Sequence, residues 1–254
     1  TITSYESGGT TYVVHTFLDD GVFQTSADVT GDFLIVAGGG GSAAAEGYSG
    51  STGGGGAGGL VEGTSQTVSA GNYIVAVGAG GAASTDINTP ASNGGDSTAF
   101  GYTAKGGGGG TDYGTNGQAG GSGAGGPENN NTGGASTQDA YSGTTNVTGY
   151  GNAGCTGGAY GSNGGSATGG GAGGAGNNAN GGTVAGGAGR ANNFRTGSNV
   201  TYAAGGQGVE GNTNGVAGAA NTGNGAGGVS TTSGGNTNGA AGGSGIVVLR
   251  YAVT

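Results

Sequence analysis

Apolar residues gather in short blocks near the two ends of this chain and thin out between them. Thr10–Phe17 (TTYVVHTF) is β-branched and aromatic and predicts a strand, followed by a turn at LDDG, 18–21, and a second short strand at 21–26 (GVFQTS). Residues 32–37 (DFLIVA) form a nearly continuous apolar run, the pattern of a strand covered on both faces, and end in the glycines 38–41. A further group is expected at 64–69 (TSQTVS) and 73–77 (YIVAV), with a turn at Ala70, Gly71 and Asn72. Another strand-like piece, 97–104 (STAFGYTA), stops at the glycine run 106–110. The last block, 245–253 (GIVVLRYAV), stands far from any of these, and a lone strand is not stable in water. It must return and pair with the N-terminal group, which makes the intervening stretch an insertion whose ends lie close together.

The expected fold is therefore mainly β with irregular structure and essentially no α-helix. Residues 1–105 supply a small antiparallel framework with the first glycine-rich loops. Residues 106–243 supply a glycine-rich body with variable loops, and 244–254 supply the closing strand. Composition sharpens this picture. Of 254 residues, 75 are Gly and only 2 are Pro, and no Leu or Ile occurs between Ile87 and Ile246, so the body cannot build an aliphatic core. Its glycine clusters, such as 120–126, 169–176 and 181–189, are irregularly spaced, unlike a solenoid repeat, and lack the strict every-third glycine and the proline of collagen.

By composition alone such a body suits a flexible linker. The ordered alternative, and the expectation here, is a sheaf of polyglycine-II-like helices. Helices of the polyproline II type have no internal hydrogen bonds, so each N–H and C=O must find a neighbouring segment or water. Glycine on the facing positions lets backbones approach closely enough to do so. Ordering costs about 1–2 kcal/mol per residue, against about 0.5–1.5 kcal/mol net per hydrogen bond. Such a sheaf must be multi-layered and anchored, and the β-framework is the anchor.

Charge excludes several roles. The net charge is −9, and Lys105, Arg190, Arg195 and Arg250 are the only Lys and Arg residues, too few and too scattered for a nucleic-acid surface. Anionic membrane surfaces are disfavoured, and no apolar run is long enough to insert as a helix. The start at Thr1 reads as a processed or excised segment. His15 lies inside a predicted strand without a partner constellation, and Cys155 stands alone as a small packing residue. The Gly-x-Gly-x-x-Gly strings join no strand to a helix, and GGGGTD at 107–112 resembles one unit of a calcium-binding β-helix but lacks stacked copies. No catalytic residue, cofactor or metal ligand is assigned.

The glycine-poor loops are the recognition candidates. Residues 127–152 carry Tyr141 and Tyr150; 190–204 carry Arg190, Phe194, Arg195 and Tyr202; 83–93 and 209–216 are shorter. Tyr, Ser, Gly and Asn make adaptable binding loops, while the competing use of the tyrosines is to cap the sheaf. Sequons at Asn130, Asn146 and Asn199 matter only in a glycosylating secretory system.

The ordered series VVHTF (13–17), FLIVAGGGG (33–41), GGGGAGGLVEG (53–63), TVSAGNYIVAVGAGG (67–81), STAFGYTAKGGGGG (97–110), NVTYAAGGQG (199–208) and GGSGIVVLRY (242–251) resembles the glycine-rich domains of bacteriophage tail-fibre and adhesin-like proteins. That resemblance implies stacked polyglycine-II helices and a non-enzymatic tail-fibre or tip adhesin on a virion or outside the cell. Its partners would be a bacterial surface receptor, either a glycan or an outer-membrane protein, and other virion subunits, with homo-oligomers or a larger assembly expected. The competing expectation is a structural subunit of an extracellular filament or a virion decoration.

Overall fold

The computed structural model describes residues 1–46, 50–112, 114–158, 166–177, 182–231 and 236–253. The apolar blocks become strands. β1 (Ile2–Ser7), β2 (Thr10–Phe17), β3 (Gly21–Thr25) and β4 (Val29–Val36) precede the two-residue β5 (Ala45–Glu46) and β6 (Ser51–Thr52). β7 (Leu60–Val68), β8 (Gly71–Val75), β9 (Ser97–Ala99), β10 (Tyr102–Ala104) and β11 (Val147–Tyr150) follow. The chain ends with β12 (Arg190–Asn192), β13 (Val200–Tyr202), β14 (Val229–Ser230), β15 (Asn236–Thr237) and β16 (Ile246–Val253). There is no α-helix among the described residues, and so none long and apolar enough to cross a membrane.

The closing strand returns as expected. Six strands form one sheet in the order β1-β2-β16-β4-β7-β11, with β16 antiparallel to both neighbours, Leu249 opposite His15 on one side and Phe33 on the other. Alternation then builds two cores from one sheet. Phe33, Ile35, Val61, Val247 and Leu249 face one way, onto Phe23, Val75, Ala99 and Ala104. Leu34, Val36, Leu60, Ile246 and Val248 face the other, onto Phe194, Tyr202 and Ala203. The unbroken apolar run at 33–36 is the signature of this double burial.

One expected turn is corrected. At 70–72 the chain bends instead of reversing: β8 pairs with β3, and β7 with β4, so two strands run side by side through a shared kink. The kink is held by Asp28, whose Oδ1 accepts from Ala70 N at 2.9 Å. A hairpin is instead made at 97–104, where β9 and β10 pair across Phe100 and Gly101, both at positive φ.

The glycine segments form the sheaf, and their main-chain bonds repeat every third residue. Along 54–59, Gly54 and Ala57 donate to Ala167 and Gly170, Gly55 and Gly58 to Ala226 and Gly223, and Gly56 and Gly59 to Gly108 and Lys105. The carbonyls of the same segment accept from Ala37 and Gly40, from Ser122 and Gly125, and from Gly206. A threefold screw that bonds only outward is the polyglycine II arrangement, and this helix is ringed by the segments 37–40, 105–108, 122–125, 167–170, 205–206 and 223–226. A Cβ on Gly53, Gly54, Gly55 or Gly56 would press into a main-chain carbonyl of Gly125, Gly206, Gly40 or Ser122. Glycine is required there by close approach. The sheaf also spans the residue-106 division, since 37–44 and 53–59 lie at its centre and share bonds with 105–110.

Candidate functional site

Each described sheaf segment runs between the framework and a far end. Segment 38–44 leaves β4 and reaches β5; segment 53–59 returns from β6 into β7. The remaining segments shuttle likewise, so the loops divide into two sets. At the framework end lie 137–146 and the β12–β13 hairpin. At the far end lie 84–90, the described part of 111–116, 127–131 and 209–212.

All six aromatic and cationic recognition candidates fall at the framework end. Tyr141, held at positive φ, accepts a bond from Thr103 N at 2.9 Å and donates to Thr103 O at 3.0 Å, with its ring edge-on to Tyr102. Tyr150 sits in β11 opposite Leu60, and the Arg190 guanidinium lies 3.7 Å above its ring centroid. Arg190 Nε also donates to Glu62 Oε2 at 2.7 Å, while Asn192 Nδ2 takes Oε1 at 2.9 Å. One β7 carboxylate thus ties down two residues of the hairpin.

Phe194 is buried, with the Arg250 guanidinium 4.2 Å from its ring centroid. Arg250 is in turn fixed by Asp32 Oδ2 at 2.9 Å and Tyr5 Oη at 2.6 Å. Tyr202 is fully buried, with its hydroxyl beside Arg195. Burial pushes that phenol above its ordinary value, with the nearby positive charge of Arg195 opposing the rise. Arg195 is half-buried and, with Thr1, Thr3, Thr16, Leu18 and Thr196, lines a cleft of about 250 Å³. The capping use of Tyr141 and Tyr150 is thus the one with visible partners. His15 lies in β2 with Nε2 3.2 Å from Tyr251 Oη, and burial holds its pKa below the ordinary value. Cys155 sits in the sheaf, its main chain bonded to Thr168 and Gly126, and burial pushes the thiol up.

The sheaf separates charge. Three of the four cations, Lys105, Arg190 and Arg250, form ion pairs at the framework with Asp96, Glu62 and Asp32, and Arg195 lies beside them on the hairpin. The far-end loops carry Asp86, Asp112, Glu128 and Glu210 and no Lys or Arg. These loops are stitched together: Asn88 N donates to Asp112 Oδ2 at 2.9 Å, and Thr132 N to Asn116 Oδ1 at 3.0 Å. Asn88, Asn129 and Asn130 take positive φ, which Asn tolerates better than most residues, so part of the Asn content is turn chemistry. Glu128 is almost wholly buried, and desolvation, opposed by the Ser51 main chain, raises its pKa to about 7. The sequons Asn130, Asn146 and Asn199 are all exposed.

A family model described as a glycine-rich domain matches residues 20–252. The chain belongs to this family. A search of curated proteins finds no match. The matched span of the glycine-rich domain takes in the whole sheaf and begins after β2, although β2 pairs with β16 inside that span. Of the candidate loops, 83–93 and 209–216, the two shortest, bring side chains to the far end, where they join residues 127–131 of the longest. The signal in the sequence was their position: each follows a glycine segment that climbs away from a framework strand.

Proposed function

We propose that this glycine-rich domain is a non-enzymatic display module, a phage tail-fibre or tip adhesin that presents its far-end loops to a bacterial surface receptor. What carries the reading is the division of labour along the sheaf: cations and most aromatics are spent on the framework, and the opposite end offers acidic, amide and hydroxyl groups on short, mutually bonded loops. Loops on a rigid scaffold are where binding surfaces concentrate. Asp86, Asn88 and Asn130, with exposed Ile87 among them, suit a hydroxyl-rich glycan, whose ring faces and hydroxyls need one apolar contact and several short hydrogen-bonding groups. The acidic balance favours receptors without phosphate or carboxylate. In this reading the domain works on a virion or outside the cell, alongside other virion subunits.

The test is a loop exchange. Replacing 85–89 with a Gly-Ser turn should abolish attachment to host cells while the unfolding midpoint stays put. Full attachment by the folded variant would overturn the reading. A structural-subunit role is favoured by a different observation, the unpaired main chain on one flank of the sheaf.

A further inference from the structure

Along that flank the hexagonal array is incomplete. Segments 204–207 and 224–227 lie side by side, joined by Gly225 N to Ala204 O and Gly228 N to Gln207 O. Their outer surfaces form the floor of a trough of about 400 Å³, walled by 185–188 on one side and 216–219 on the other. In a hexagonal sheaf the space above two adjacent helices is a position for another helix. Around the helix 223–228, neighbours are bonded at 37–40, 53–59, 203–208, 213–219 and 238–245. The gap between 203–208 and 213–219 is the missing sixth.

The main chain facing this gap is prepared for a partner. By the three-residue repeat, Gln207 N–H and Gly225 C=O point outward, and neither makes a hydrogen bond to any described residue. The lining side chains are hydrogen or methyl apart from Gln207, Val216 and Asn224. A segment of mostly small side chains suits this slot and also supplies N–H and C=O groups every third residue. Both directions suit, because 54–57 runs parallel to 167–170 and antiparallel to its other bonded neighbours.

We propose that the trough is a self-association site, filled by the 213–219 helix of a second copy of this chain. That helix (TNGVAGA) forms the wall beside the trough. Val216 is 54% exposed, Ala217 and Ala219 are exposed, and the Ala217 N–H and C=O have no hydrogen-bond partner among the described residues. Because donor and acceptor surfaces are adjacent on one molecule, a twofold axis along the seam sets each wall into the other's trough. That is the self-complementary arrangement of a closed dimer. It completes the sixth position around 223–228 and buries two otherwise exposed Val216 side chains.

The test uses the full chain in sedimentation and in concentration-dependent amide exchange. A reversible dimer is expected, with exchange at Gln207 slowing at least tenfold as concentration rises. A synthetic peptide of residues 213–220 should compete and restore monomer. Ala217→Arg on the exposed wall and Ala185→Arg on the opposite wall should each give monomers with an unchanged unfolding midpoint at low concentration. A wild-type chain that stays monomeric at high concentration overturns the proposal. So does a dimer that ignores the peptide and both substitutions, since its contact then lies elsewhere.

Discussion

Gly40 N donates to Gly56 O at 2.9 Å, and a methyl group on neighbouring Gly55 would strike the Gly40 carbonyl. The two segments are as close as main chains allow, and the same relation repeats outward through the sheaf. Glycine takes the place of a hydrophobic core within the sheaf: packing is backbone against backbone, and most of the hydrogen bonds join residues distant in sequence.

Gly56→Ala should destabilise the protein by about 3 kcal/mol, the upper end of the usual cost of overpacking, because its Cβ would meet the Ser122 and Gly123 carbonyls, which are main chain and cannot swing aside. The adjacent Ala57, already buried in the sheaf, is the internal control: Ala57→Gly should cost about 1 kcal/mol. Urea unfolding midpoints compare the two, and equal losses would contradict backbone packing as the limiting contact.

The β12–β13 hairpin is a clasp on the framework. Phe194→Ala should cost about 3–4 kcal/mol through the second core. Arg190→Ala should cost about 1 kcal/mol, as its ion pair is partly exposed and its stacking on Tyr150 adds a similar small amount. Thermal unfolding reads both. A drop in receptor attachment with no loss of stability would instead assign these side chains to binding.

Glu128 gives a pH signature. Its folded pKa of about 7 lies above the ordinary carboxyl value of 4.5. Between these values the folded state holds a proton that the unfolded chain has released. Stability from this group therefore falls as pH rises from about 4.5 to 7 and is flat above. His15, held below its ordinary 6.5, works the other way, since acid favours the unfolded chain there. Comparing wild type with Glu128→Gln cancels His15. The variant should be the more stable at pH 8, with the difference closing near pH 4. A constant difference across that range would remove the buried-carboxylate account.

Amides at the centre of the sheaf should exchange as slowly as those of β16. Gly40, Gly55, Gly56 and Gly206 each donate to another segment deep in the array, so their exposure requires the sheaf to open cooperatively. Exchange at these sites at rates of an unstructured peptide would refute the ordered body outright.

Much of this protein was legible one residue at a time. The apolar blocks at 10–17, 32–37 and 245–253 could only be strands, the last had to come home, and a glycine body without aliphatic residues could be ordered only through its main chain. These are consequences of local chemistry: side-chain period, burial, and the absence of any other bonding group. The turn expected at 70–72 became a bend because Asp28, far away in sequence, holds Ala70. Tyr141, Tyr150, Arg190, Phe194 and Tyr202 look in sequence like recognition side chains, and their consumption by the framework depends on Thr103, Leu60, Glu62 and Arg250, partners brought near only by the return of the chain. Which end each loop occupies follows from counting passages through the sheaf. The unfilled position above 204–207 and 224–227 is visible only in cross-section. A repeat of three residues tells a glycine helix that it needs neighbours, but not which ones, because every such helix presents the same backbone; the framework strands, by fixing where each helix begins, make that choice.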